Sequence, residues 1–356
     1  MKIFLAMLIL ACFVTTAQAD QALQPMPIPD RSCAPVEGLS FVCGPRSAED
    51  AIPLPGTRWL VISGMTPGSG LGVIDMNAKK AYFLYTAMTA KAPDRRYSGC
   101  SAPPDPASFS AHGISLRATM PSRYMLYVVS HGFTESVQVF TLDARGAVPA
   151  IVWKGCVALP DNHPGNSVVS FANGSMLVTV IGGLETDNGN PTGAVFTWSY
   201  GEKMFHRLKG TDLPSPNGIE IAKGEREFYV LSTNDQSFNV FSRDGRKLRT
   251  VKVPGFNPDN IRWNGNRLVA AGIVHDEPAC GGLIVYGTAP NADCHRGYMV
   301  AEIDPMRLQW KMIAYGGPNP AFDAVASGVI VGDTLWLTTW KSDRIAYRPL
   351  PGLPAR

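Results

Sequence analysis

The stretch "EFYVLSTNDQSFNVFSR", Glu227 to Arg243, is an apolar strand, a short polar turn and a second strand. Phe228 to Leu231 and Phe238 to Phe241 carry the aromatic and branched side chains that strands favour, and Thr233 to Gln236 supply the turn. Five other segments have the same shape: "RWLVISGMTPGSGLGVIDM" (58–76), "YMLYVVSHGFTESVQVFTL" (124–142), "SMLVTVIGGLETDNGNPTGAVFTW" (175–198), "RLVAAGIVHDEPACGGLIVYG" (267–287) and "TLWLTTWKSDRIAYRPL" (334–350). Their first strands begin near Trp59, Met125, Met176, Phe228, Leu268 and Leu335, about 40 to 67 residues apart. That is the period of propeller blades, small antiparallel sheets that need neighbours to bury both faces. An all-β chain folded as a six-bladed β-propeller is expected, with "GLSFVC" (38–43) pairing with the last blade to close the ring and hide its edges. Helical periodicity is absent, and turns such as "SRDGRK" and "LDARGA" hold residues that tolerate left-handed backbone.

Composition agrees with a folded, turn-rich chain: 45% of the 356 residues are hydrophobic, only 17% are charged, and there are 35 Gly and 29 Pro. A net charge of +3, spread without a basic block, gives no nucleic-acid footprint. The N-terminus has one lysine, Lys2, an apolar run from Ile3 to Val14 and a small-x-small site at Ala17-Gln18-Ala19, the pattern of a cleaved signal peptide. Residues 1–19 are therefore expected to be removed, leaving 20–356 as a single propeller domain that is periplasmic or secreted. Lipidation at Cys12 and an uncleaved anchor are the rival outcomes, the run being short for a span. No other segment approaches transmembrane length. Six cysteines remain, and proximity in sequence suggests the pairs Cys33–Cys43, Cys100–Cys156 and Cys280–Cys294, although six cysteines allow fifteen pairings. His275 and His295 lie near the last pair, but the spacing matches no zinc template.

Polar residues recur at one phase of the repeat. Glu49 precedes Trp59 by 10 residues, Asn166 precedes Met176 by 10, Asn217 precedes Phe228 by 11, Asn260 precedes Leu268 by 8, and His112 precedes Met125 by 13. In a propeller this phase is the start of the innermost strand, where the blades converge on a central channel. Glu49, Asn166, Asn217, Asp259 and Asn260 together offer only oxygens, which suit Ca²⁺ better than Zn²⁺; magnesium's octahedron is stricter. Two carboxylates would neutralise the divalent charge, and five protein ligands leave positions open.

The stretches "SAEDAIPLPGTRWLVIS", "AHGISL", "YVVSHG", "PGNSVV", "PNGIEI", "PDNIRW" and "VASGVIVGDTLWL" occur in the order of, and resemble, the paraoxonase family of calcium lactonases and arylesterases, related to the regucalcin/gluconolactonase propellers. The resemblance covers Glu49 to Leu337. It implies that Glu49, Asn166, Asn217, Asp259 and Asn260 are catalytic calcium ligands, and that His112 and His131 form a histidine dyad acting on water. It also implies a second, structural calcium, for which Asp50 matches a ligand, while Ser167 stands where the family has Asp. The family's disulfide between the chain ends has no counterpart, since the last cysteine is Cys294, and its retained signal sequence contrasts with the cleavage site at Ala19.

The chemistry so implied is hydrolysis of a small lactone or aryl ester, with Ca²⁺ polarising the carbonyl and His112 or His131 serving as base, and with phosphotriesterase promiscuity as a side activity. Two other readings stand beside it: a gluconolactonase-like sugar lactonase, and a non-catalytic exported propeller whose calcium is structural and whose top face binds a ligand or protein. His163 and His275 read as ordinary loop residues, and Asn173 in "NGS" as a hairpin turn. Neither a Ser nucleophile elbow, a phosphate-binding loop nor a zinc-protease His pair is present.

Overall fold

Alternate residues of each strand point to opposite faces of its sheet, and here both faces are covered. In the second strand of the fourth blade, Phe228 and Val230 pack towards the third blade while Tyr229 and Leu231 pack towards the fifth. This is why the apolar runs are continuous. The computed structural model describes residues 23–86, 93–132, 134–184, 192–283 and 294–350.

Six antiparallel sheets form the blades; in the second to fifth the strands run from inside to outside in chain order, and N-terminal strands add the outer edges of the first and sixth. The first has Ala51–Pro53, Trp59–Gly64, Gly70–Asp75 and Lys80–Phe83, with Gln24–Pro25 on its outer edge. The second has Ser110–Met120, Arg123–His131, Ser136–Asp143 and Ala150–Ala158. The third has Gly165–Ser170, Met176–Leu184, Thr192–Trp198 and His206–Arg207, and the fourth Pro216–Ile221, Glu227–Ser232, Ser237–Ser242 and Lys247–Lys252. The fifth has Phe256–Asn264, Arg267–Val274, Tyr298–Asp304 and Gln309–Gly316. The sixth has Val325–Val331, Thr334–Thr339 and Arg344–Pro349, and its outermost strand is Ser40–Cys43. Six buried hydrophobic clusters fill the six interfaces between neighbouring blades. Each innermost strand packs against the next, and the sixth returns to the first.

Five of the six hairpins read from the sequence are the second and third strands of these blades. In the fifth blade the expectation fails, because Arg267–Val274 pairs with Tyr298–Asp304, and Gly282–Leu283 instead forms a small separate sheet with Asp276–Glu277. The ring closes as expected, with Ser40 opposite Tyr347 and Cys43 opposite Arg344. Phe41 of the closing strand lies 6.0 Å from Phe322, and the buried Arg344 guanidinium sits 5.4 Å from its ring while donating to the Ser32 carbonyl (2.7 Å). This contact ties the N-terminal segment to the last blade without an end-to-end disulfide.

The three cysteine pairs suggested by proximity are bonded as Cys33–Cys43, Cys100–Cys156 and Cys280–Cys294. Three cross-links fit an oxidising compartment and leave no thiolate for the zinc alternative. Asn173 accepts from Ser175 N (3.1 Å) and Oγ (2.7 Å), closing a hairpin turn as read. The signal-peptide and Cys12 readings fall outside the described residues. Among those described, no helix is long and apolar enough to cross a membrane.

If Ser40–Cys43 seals the ring, Phe41→Ala should lower stability by about 3–5 kcal/mol, the usual cost of truncating a buried Phe. Equilibrium urea unfolding checks this; a loss under about 1 kcal/mol would show that the closing strand contributes little.

Candidate functional site

The recurring phase has a physical form. Where the innermost strand pairs with the second strand, the register slips across two residues: between Ala111 and Ile114, Gly165 and Val168, Pro216 and Ile219, Pro258 and Ile261, and Val325 and Gly328. The residues carried out of register are His112-Gly113, Asn166-Ser167, Asn217-Gly218, Asp259-Asn260 and Ala326-Ser327. In the first blade Glu49-Asp50 lie just before the innermost strand. A bulge leaves residues unpaired and re-aims their side chains, and in a propeller the only free direction is the channel.

Hydroxyls fix these irregular stretches. Thr179 accepts from Ser167 N (3.0 Å) and donates to the Asn217 carbonyl of the next blade (2.7 Å). Thr338 accepts from Ser327 N (2.9 Å) and donates to the Glu49 carbonyl (2.6 Å). Each such Thr binds its own blade's bulge to its neighbour's site residue. Glycine permits the close approach: a Cβ on Gly218 would lie 2.5 Å from the Asp259 carbonyl, and one on Gly113 would lie 2.5 Å from that of Asn166.

The five expected ligands converge. Asn260 Nδ2 donates to Glu49 Oε1, and Asn217 hydrogen-bonds to Asp259. Asn166 Nδ2 lies 3.4 Å from His112 Nε2, which is 3.6 Å from Glu49 Oε1. Glu49, Asn166, Asn217 and Asn260 are at most 5% exposed, whereas Asp259 is half-buried. Four buried oxygens here have no hydrogen-bond partner: Glu49 Oε2 and the Oδ1 atoms of Asn166, Asn217 and Asn260. An orphaned buried acceptor costs about 1–3 kcal/mol. A group of them on neighbouring, mutually hydrogen-bonded side chains fits a hard cation, so the residues present suit calcium.

Beside this cluster a hydrogen-bonded line runs outward. His112 Nδ1 is 2.7 Å from His131 Nε2, and His131 Nδ1 is 2.8 and 3.0 Å from the two oxygens of Glu135. The buried Glu135 is held by its backbone N–H, which donates to Asn162 Oδ1 (3.1 Å). A carboxylate only accepts, so His131 carries its proton on Nδ1 and accepts at Nε2. With both rings neutral, His112 donates from Nδ1 and its Nε2 keeps the lone pair, turned towards the Asn166 amide and Glu49. Glu135 thus sets both tautomers.

Beneath the oxygen cluster the channel changes character. Asp50, fully buried, accepts from Ala51 N (2.8 Å), Ile114 N (2.9 Å) and the Arg262 guanidinium. Arg262 also donates to the carbonyls of Ile114 (2.7 Å) and Ile261 (3.0 Å). Burial pushes the Asp50 carboxyl up to about 6 against the opposing Arg262 charge, with Glu49 adding to the rise. Glu220, enclosed by protein although one side stays open to solvent, is pushed up to about 7 by burial, again against Arg262. Burial and then Glu49 raise Asp259 well above the usual carboxylate range.

Sequence reading missed Glu135, Arg262 and Glu220. Glu135 sits in a hairpin turn, where no periodicity applies. Arg262 follows Asn260 by two places on one strand and so shares its face, a signal that was there to use. His275 donates to Asn257 Oδ1 (2.8 Å) and His163 packs 6.1 Å from Phe196, which suits their reading as loop residues. Among the described residues, no group of three His, Cys, Asp or Glu could hold a metal, so the amides are essential to any site here.

No protein-family model matches the chain. No curated protein matches it either. Solved structures do resemble it in fold. A luciferin-regenerating enzyme is 13% identical over 90% of this chain and 97% of its own, with a TM-score of 0.53. A gluconolactonase from Xanthomonas campestris is 16% identical over 93% and 97%, with a TM-score of 0.51. A Bacteroides thetaiotaomicron protein of unknown function is 10% identical over 92% and 73%, also at 0.51. At these identities the likeness establishes the fold, a six-bladed β-propeller, and nothing finer.

A carboxyl whose pKa is higher folded than unfolded costs stability once ionised; the cost is absent below the unfolded value near 4 and complete above the folded one. With Asp50 at about 6 and Glu220 at about 7, chelated protein should lose thermal stability as pH rises from about 4 to 7. Calcium should raise the unfolding midpoint more at pH 8 than at pH 5. Equal shifts at both pH values in calorimetric scans would contradict the charge arrangement.

Proposed function

We propose that the chain is a calcium-dependent hydrolase of small lactones or aryl esters, exported and cleaved near Ala19. One observation carries this reading. His112 Nε2 lies 3.6 Å from Glu49 Oε1, beside four buried oxygens that no protein donor satisfies. A base and a cation cradle share one channel.

Glu49, Asn166, Asn217, Asp259 and Asn260 would hold calcium, which when bound supplies Lewis-acid polarisation of a substrate carbonyl. The remaining chemistry belongs to the chain. His112 takes a proton at Nε2 from the attacking water, and its Nδ1–H stays hydrogen-bonded to His131. His131 in turn donates to Glu135, so the carboxylate stabilises the positive charge that develops on the imidazole pair. On completion His112 returns the proton to the leaving oxygen. The fold shared with a gluconolactonase makes a lactone a reasonable substrate class, and the three disulfides favour an exported setting.

Positioned base catalysis contributes roughly two to four orders of magnitude, so His112→Gln should lower kcat by that much while sparing calcium affinity. Glu135→Gln keeps an acceptor but loses the charge, and should lower kcat on the order of 10- to 100-fold, as supporting carboxylates behind histidines commonly do. Its thermal midpoint should barely change. The assay is a panel of aliphatic lactones, a gluconolactone and phenyl acetate, each with calcium or chelator. Calcium-independent turnover, or none across the panel in wild type, would overturn the reading, the latter favouring a binding propeller.

A further inference from the structure

The upper channel offers oxygens without donors, whereas the lower channel already contains a cation. Arg262 is buried, 8% exposed, and its Nη2 reaches both Asp50 and the Ile114 carbonyl, while Nη1 reaches the Ile261 carbonyl. Glu220 exerts its charge on the same guanidinium. Every oxygen that Asp50 offers is taken, Oδ1 by Ala51 N and Oδ2 by Ile114 N and Arg262. Ser167, at the same level, contributes a neutral hydroxyl that has no partner. A divalent ion here would have to displace an arginine that cannot be deprotonated, and the donor set does not fit one.

We propose that Arg262 is the resident cation of the lower channel, standing in for a second metal, so that the chain binds no divalent ion beneath the oxygen cluster. The two levels then divide the work. The upper level exchanges calcium with solvent, while in the lower level the fixed guanidinium stays on Asp50 and keeps the floor of the site in place when calcium is removed. This rests on reading the upper cluster as the metal site.

Calcium titration by calorimetry, with bound metal counted by elemental analysis, tests it on wild type, Glu49→Gln, Arg262→Met and the double variant Arg262→Met/Ser167→Asp. One ion is expected in wild type and none in Glu49→Gln, while the double variant gains one ion. Arg262→Met leaves Asp50 without its counter-charge, so its unfolding midpoint in chelator should fall by several degrees, and the charge-conserving Arg262→Lys should recover much of that loss. A second ion in wild type that survives Glu49→Gln would overturn the proposal. So would a folded double variant that gains no ion, or an Arg262→Met protein as stable in chelator as wild type. Zero ions in wild type together with a gained ion in the double variant would instead sink the upper-site reading and leave Arg262's role standing.

Discussion

Two residues slipped out of register in each innermost strand from the second blade to the sixth are the constraint on which the site depends. Regular pairing would turn alternate side chains into the interfaces between blades, where six apolar clusters already fill the space. The slip frees a short length of backbone to face the axis. Its polar atoms then need partners, which the Thr179 and Thr338 hydroxyls supply across blade boundaries. Scaffold and site are therefore coupled: the bonds that hold neighbouring blades in phase also aim Asn217 and Glu49 into the channel.

Charge explains the vertical order of the channel. Glu49, Asp259, Asp50 and Glu220 influence one another within a small buried volume that holds Arg262 as the opposing cation. Four carboxylates against one guanidinium are stable together only if protons or a further cation make up the difference; burial is the first cause of the raised Asp50, Glu220 and Asp259 values, and neighbouring carboxylates add to it. The orphaned oxygens lie at the upper end, beside the histidine pair. Destabilising, pre-arranged polar groups of this kind are what functional sites retain at the expense of the fold.

Much of this was legible in the sequence. Five of the hairpins, the number of blades and the closing strand follow from apolar runs spaced by turns, because the second and third strands of the blades are largely buried on both faces. The fifth blade's third strand, Tyr298–Asp304, was missed because the short pair Asp276–Glu277 and Gly282–Leu283 intervenes. The oxygen cluster was also legible, through the recurring position of Glu49, Asn166, Asn217 and Asn260. Their offsets vary from 8 to 11 residues, the shortest in the fifth blade, where only residues 265–266 separate the first two strands and Asn260 is the second residue of its bulge. Glu135 was not legible, since it reaches His131 around a hairpin turn whose path no pattern encodes. Arg262 was missed for another reason: attention to metal-binding residue types passes over a buried arginine, although its place two residues after Asn260 was there to use.

The central claim is that the oxygens of Glu49, Asn166, Asn217, Asp259 and Asn260 form one calcium site next to His112. A crystal structure determined in saturating calcium tests it most directly. The account predicts a cation at about 2.3–2.6 Å from the free oxygens of Glu49, Asn166, Asn217 and Asn260, with Arg262 still on Asp50 below. Calcium-saturated crystals in which those oxygens are bridged by water alone, or in which the ion sits on Asp50 in place of Arg262, would contradict it.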